Sequence, residues 1–297
     1  MSQLPPSQIS PHRGRRVELP SRYGPVAALS ARAPEPGGHP APIALLVPGY
    51  TGSKEDFAPL LDPITDAGMH AIAIDLPGQY ESKGPDDEAA YLPAALGAVL
   101  AELVGKLSAE GNPVLLLGHS FGGLVVRGAV LAGAPVAGLT LMCTGPCELP
   151  DGPRRKALEL GEPAIREHGM DAALRLREEL DRMLPGRLAP APELATFLRQ
   201  RFLSTLPAGL LGMARGLRTE PDQVAPLART LHTSGIPCLV TCGEGDDAWP
   251  VSTQRDMADR LDADFAVIPG ARHSPNVENP SALLNTLLPT WRSWLTA

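Results

Sequence analysis

Val114-Leu115-Leu116-Leu117-Gly118-His119-Ser120-Phe121-Gly122 is the stretch that decides how this chain reads. Four apolar residues of strand length run into a serine with a glycine two positions to either side, and the helix-like pattern Leu124, Val125 and Val130 follows. A serine hydroxyl is a weak nucleophile unless the backbone lifts it clear of its sheet and a base takes its proton. A strand ending in a tight turn, with no side chain two residues before or after the serine, does that lifting. Five residues are a modest signal alone, so their context has to carry the rest.

That context is regular. Ile43–Val47 and Ala71–Ile74 are fully apolar runs of strand length before the turn, and Val136–Met142 is a further, mostly apolar run after it. Between them Phe57, Leu60, Leu61 and Ile64, and then Leu92, Val99, Leu103 and Leu107, recur at helical spacing. Late in the chain Cys238–Thr241 and Phe265–Ile268 repeat the strand pattern, with Met257 and Leu261 on a helix between them and Leu283, Leu284, Leu287, Trp291 and Trp294 on a closing helix. Short runs buried on both faces, alternating with amphipathic helices, predict an α/β fold: a doubly wound, mostly parallel sheet. Arg15 to Ala33 reads as one or two further short strands, followed by a Pro- and Gly-rich turn at Pro34–Pro40.

The rhythm stops between Glu148 and Asp222. Helical patterns replace it (Ala172, Leu174, Leu180 and Met183; Leu194, Phe197, Leu198 and Leu203; Leu210, Leu211 and Met213), punctuated by Pro190, Pro192, Pro207 and Pro221. The expected organisation is a sheet-forming core over 15–147 and 223–297, a helical cap over 148–222, and a Pro- and Ser-rich, mobile segment over 1–14. A cap above the strand C-termini would close a site from water and line it with apolar side chains.

Composition excludes several classes. The formal net charge of -7 argues against a nucleic-acid partner. No stretch reaches the ~20 apolar residues of a membrane span. The N-terminus lacks the apolar run of a secretory signal, so a cytoplasmic location is expected. Cys143, Cys147, Cys238 and Cys242 then read as buried thiols. No His/Cys spacing is typical of zinc, and neither a metal nor a cofactor is expected.

A serine nucleophile needs a base, a group to orient that base, and donors for an oxyanion. In a doubly wound sheet these come from loops at the strand C-termini. His273 stands in the loop directly after Phe265–Ile268 and is the expected base. The preceding strand runs into Gly243-Glu244-Gly245-Asp246-Asp247, where composition does not choose among three carboxylates. For the oxyanion, the backbone N–H of Phe121 and that of Tyr50, in the loop Pro48-Gly49-Tyr50-Thr51-Gly52-Ser53, are the expected donors. Ser53 also suits a helix N-cap. His119 reads as a side chain packed beneath the turn.

With these residues in place the chain resembles the α/β-hydrolase superfamily over about residues 15–147 and 223–297. The order serine, acid, histidine is that family's. The resemblance implies Asp246 as the acid, because Gly243, Asp246 and Pro250 fit the family pattern Gly-x-x-Asp-x-x-x-Pro. Some family lipases carry the acid one strand earlier, where Glu148 and Asp151 lie. Asp75-Leu76-Pro77-Gly78-Gln79-Tyr80-Glu81-Ser82 is similar to the family's Asp-x-x-Gly-x-Gly-x-Ser, with Tyr80 at the second glycine. The serine elbow departs from the dehalogenases and epoxide hydrolases of this fold, which use aspartate there. The implied function is cofactor-free hydrolysis of a small or lipid-like carboxylic ester. A thioesterase or acyltransferase, a carbon–carbon hydrolase or lyase, and a non-catalytic ligand-binding protein are the alternatives.

Overall fold

The structure, a computed structural model, describes residues 5–34, 40–183 and 189–296. The elements, in chain order, are β1 (Arg15–Ser21), β2 (Gly24–Ala31), β3 (Ile43–Val47), α1 (Ala58–Asp66), β4 (His70–Ile74), α2 (Pro93–Ser108), β5 (Val114–His119), α3 (Phe121–Leu131) and β6 (Gly138–Met142). They continue with α4 (Pro153–Met183), α5 (Pro192–Ser204), α6 (Pro207–Thr219), α7 (Val224–Ser234), β7 (Cys238–Gly243), α8 (Val251–Leu261), β8 (Asp264–Ile268), α9 (Pro275–Glu278) and α10 (Pro280–Thr296). Most of the turn expected at Pro34–Pro40, and residues 1–4 of the N-terminal segment, lie outside the described residues. Residues 5–14 form neither helix nor strand; the Arg13 backbone N–H donates to Asp62 Oδ1 of α1 (2.8 Å) and its guanidinium pairs with Asp66.

The strands form one sheet in the order β1-β2-β4-β3-β5-β6-β7-β8. β2 runs antiparallel to β1 and β4; every other pair is parallel. The alternation along β5 shows why the runs are apolar throughout. Val114 and Leu116 enter the core beneath α2 and α3, while Leu115 and Leu117 enter the opposite core beneath α1 and α10. Each such side chain contributes about 1.5–3 kcal/mol by leaving water.

The topology also fixes where a site forms. The chain leaves β3 for β4 on one side, then returns to place β5 on the other. The loops after β3 and β5 therefore emerge at a switch point at the strand C-termini, where such sheets place their sites. Gly49 of the first loop lies directly beside Ser120 of the second.

α4, α5 and α6 form a helical insertion between β6 and α7, without a strand among its described residues. Pro192 and Pro207 open α5 and α6, where the missing N–H is no loss. α4 breaks at Gly169, whose φ is +78°. The insertion has its own apolar cluster of Ile165, Ala173, Leu174, Phe202, Leu210 and Leu211, against which Tyr50 packs. It is fastened to the core at several points: Arg154–Asp247 (2.7 Å) and Arg166–Glu88 (2.7 Å) in solvent, and Arg201–Asp56 (2.6 Å) in the interior.

Candidate active site

Ser120 sits between β5 and α3 with φ 56° and ψ -120°, a backbone conformation that costs a non-glycine residue about 1–3 kcal/mol. The surroundings enforce it. The Ser120 N–H donates to Met142 O (2.9 Å), and the Gly123 N–H closes the turn on Ser120 O (2.8 Å). Both flanking glycines are required by close approach: a Cβ on Gly118 would lie 2.4 Å from Gly122 O, and one on Gly122 2.4 Å from Pro48 O.

The loops after β7 and β8 meet this turn. His273 Nε2 lies 2.9 Å from Ser120 Oγ, and His273 Nδ1 lies 2.8 Å from Asp246 Oδ1. With the carboxylate accepting the Nδ1 proton, Nε2 is left free to accept from the serine hydroxyl. Asp246 is held in turn by the Ala248 N–H (3.0 Å) and by Gln254 Nε2 from α8 (2.8 Å). Burial pushes the Asp246 carboxyl up, but His273, Ala248 and Gln254 outweigh it and hold it below the usual carboxylate range.

The other acidic residues point elsewhere. Asp247 pairs with Arg154, and Glu244 Oε2 accepts from the Gly270 N–H. Glu148 and Asp151 both lie against Arg155. All four cysteines are free. Burial pushes the Cys143 thiol well up and the Cys242 thiol up to about 12, so both border the site as neutral thiols.

The loop after β3 lies directly beside the turn: a Cβ on Gly49 would be 3.0 Å from Ser120 Cβ. The Gly52 N–H donates to Gly49 O (3.0 Å), and Thr51 takes a left-handed φ of 58°. None of the loop's hydrogen bonds among the described residues uses the Tyr50 N–H. Phe121 is the first residue of α3, so its N–H has no intrahelical acceptor. Two backbone donors are thus unclaimed by the fold beside the serine. Ser53 precedes a 3-10 turn at Lys54–Phe57; its N–H donates to Asp56 Oδ2 (3.1 Å), and the Asp56 N–H donates to Ser53 O (3.0 Å). Beneath this turn Lys54 Nζ is buried among Asp75 (3.0 Å), Glu55 (3.0 Å) and Glu81 (2.8 Å). Burial pushes the Lys54 pKa down, but Asp75 and Glu55 more than offset it, and the ammonium stays charged. In the Asp75–Ser82 stretch Tyr80 adopts φ +40°, the conformation that a glycine there would take freely.

One contact had no sequence signal. His119 Nε2 donates to the backbone carbonyl of His273 (2.7 Å), tying the nucleophile strand to the histidine loop. Burial, with the adjacent His273 ring, pushes His119 down to about 4. The unfolded chain therefore binds a proton at this residue that the folded one refuses between pH ~6.5 and ~4. Stability should fall across that window as pH drops, by on the order of 3 kcal/mol. His119→Gln, which keeps a donor but does not titrate, should flatten the dependence in urea unfolding at pH 4.5 and 7. Equal acid losses in the two proteins would show that His119 is not the group responsible.

Among the described residues, two groups have ligand atoms close enough for a cation: His119, Cys143 and His273, and Asp246, Asp247 and His273. Both include His273, whose ring nitrogens already contact Ser120 and Asp246. A metal at either place would compete with one of these two contacts.

A doubly wound sheet with a serine elbow, a histidine and an aspartate hydrogen-bonded in series at its strand C-termini defines an α/β protein of the hydrolase class. The profile of the alpha/beta hydrolase family matches residues 44–286, and the chain belongs to that family. An esterase of Thermogutta terrifontis, solved with malate bound, is similar over 95% of this chain and 98% of that one, at 24% identity and a TM-score of 0.70. MenH from S. aureus is similar over 90% and 98%, at 20% identity and a TM-score of 0.72. A Bacillus subtilis (strain 168) protein, named as a candidate 2-succinyl-6-hydroxy-2,4-cyclohexadiene-1-carboxylate synthase, is 25% identical over 237 residues, 78% of this chain and 84% of that protein. Among the described residues no helix is long and apolar enough to cross a membrane.

Proposed function

We propose that the protein is a serine hydrolase that cleaves a carboxylic ester through an acyl-enzyme on Ser120. The observation that carries this reading is the series Ser120 Oγ, His273 Nε2, His273 Nδ1 and Asp246 Oδ1, with contacts of 2.9 and 2.8 Å. His273 takes the hydroxyl proton as Ser120 Oγ attacks the acyl carbonyl. Asp246 holds the ring in the productive tautomer and stabilises the imidazolium. The N–H groups of Tyr50 and Phe121 receive the negative charge on the carbonyl oxygen. His273 then protonates the departing alcohol and activates the water that releases the acid.

The helical insertion over 148–222 serves as a cap on the core of 15–147 and 223–297. Its apolar cluster with Tyr50 favours an apolar acyl chain or ring as substrate. The name of the Bacillus relative suggests a second reading, a synthase or lyase acting on a carboxylate-bearing ring. The buried arginines favour the ester. Arg127 is committed to Gly145 O, Pro146 O and Glu220, and Arg201 to Asp56, so neither is free to meet a carboxylate. A reducing, cytoplasmic setting is part of this reading, and in it Cys143, Cys147, Cys238 and Cys242 stay thiols.

A fluorophosphonate should label the protein once, on the peptide containing Ser120. p-Nitrophenyl esters of rising chain length should then be turned over faster than the matching acyl-CoA thioesters. Labelling at another residue would remove the serine mechanism. Dominant thioester turnover would replace the esterase reading with a thioesterase.

A further inference from the structure

The loop that carries the Tyr50 amide is held at both ends by buried side chains. On one side Gln79 Nε2 donates to Gly49 O (2.8 Å), while the Leu76 N–H donates to Gln79 Oε1 (3.0 Å). On the other side the Ser53 N–H donates to Asp56 Oδ2 (3.1 Å). Between these anchors Thr51 keeps its left-handed φ of 58°, a conformation that persists only where the surroundings impose it.

Asp56 is the unusual member. Its second carboxylate oxygen accepts from Arg201 Nη1 at 2.6 Å, and the same guanidinium nitrogen lies 3.4 Å from Ser53 Oγ. Arg201 belongs to α5, 145 residues away in the chain. The Asp56 backbone carbonyl accepts from Asn276 Nδ2 (2.7 Å), three residues after His273. One buried aspartate therefore touches the loop after β3, the insertion and the histidine loop. Both Asp56 and Arg201 are more than nine-tenths buried.

This pair is a poor device for stability alone. Arg201 Nε is buried with no acceptor among the described residues. A desolvated ion pair with an unmet donor holds a fold no better than two apolar side chains of like volume. Its directional bonds provide what apolar packing lacks, a fixed position for Ser53 and the loop that precedes it.

We propose that Asp56 and Arg201 form a clasp that sets the Tyr50 amide against Ser120, which makes Arg201 a positioning residue supplied by the insertion. This rests on the serine-hydrolase reading above. A misplacement of about 1 Å in such a donor costs about 100-fold in rate. Arg201→Gln should therefore lower kcat for p-nitrophenyl acetate by about 30–100-fold while KM stays within about threefold. Phenylboronic acid, which adds to the serine as a tetrahedral anion, should bind more weakly by a similar factor. Arg201→Lys should regain most of the loss. Asp56→Asn combined with Arg201→Gln should be no worse than the more impaired single variant, because both break one contact.

Thermal melting establishes that each variant is folded. If Arg201→Gln is too unstable to purify, the double variant Asp56→Asn with Arg201→Gln, which leaves no unpaired buried charge, is read by the same kcat and boronate criteria. A folded Arg201→Gln with kcat within threefold of the wild type, or with its loss confined to KM, overturns the clasp. Ser120→Ala in the same assay separates the two readings. If that variant keeps its activity, the serine mechanism fails; if it is inactive while Arg201→Gln is unimpaired, only the clasp fails.

Discussion

Ser120→Ala is expected to lower kcat on a p-nitrophenyl ester by about 10^5–10^6-fold and to abolish fluorophosphonate labelling. The size of the effect follows from what is left behind. Without Oγ there is no covalent intermediate, and His273 can at best activate water held by the two backbone amides. Such remnants retain about 10^3–10^4-fold over the reaction in water. The variant should otherwise fold normally, because the Ser120 hydrogen bonds that shape the turn, to Met142 and Gly123, are made by the backbone. A purified variant that keeps more than about one hundredth of the wild-type kcat would overturn the mechanism.

The second large effect is expected at Asp246. Asp246→Asn should cost about 10^4-fold in kcat, while Asp247→Asn should stay within about tenfold. The two neighbours differ in what they face. Asp246 Oδ1 accepts from His273 Nδ1, so a carboxamide there can present its NH2 and force the proton onto Nε2, where it blocks the base. Asp247 lies in solvent against Arg154, and losing an exposed pair of this kind changes little. Measuring both variants on one substrate decides the matter, and a larger loss at Asp247 would reassign the acid.

Much of this architecture is legible in the sequence because it depends on local pattern. The apolar runs at Ile43–Val47 and Val114–Leu117 read as two-face-buried strands for the same reason that they become β3 and β5. The glycines at 118 and 122 are readable because each lies where backbone meets backbone. The choice between Asp246 and Asp247 is not local. It turns on Ala248, Gln254 and His273, which decide where a carboxylate two bonds from the chain will point. The family pattern supplies a choice that composition does not. His119 and Arg201 leave no pattern at all, since one donates to a backbone carbonyl 154 residues away and the other to a side chain 145 away. Neither acceptor has a residue type or spacing to announce it.

The ways in which the insertion is fastened have a mechanical consequence. Arg154–Asp247 and Arg166–Glu88 stand in solvent, where such pairs are worth about 0–1 kcal/mol each and are screened by salt. Arg201–Asp56 is desolvated, and removing one partner of such a pair costs about 3–5 kcal/mol. Ser120 and His273 are each only 8% exposed, and α6 beside them sends Met213, Ala214 and Leu217 into the main core. The insertion is thus moored by the apolar packing of α6 and by one desolvated pair on α5, while the exposed pairs along α4 add little. Raising the ionic strength should weaken the α4 pairs and leave the α5 pair, with the loop it steadies, in place.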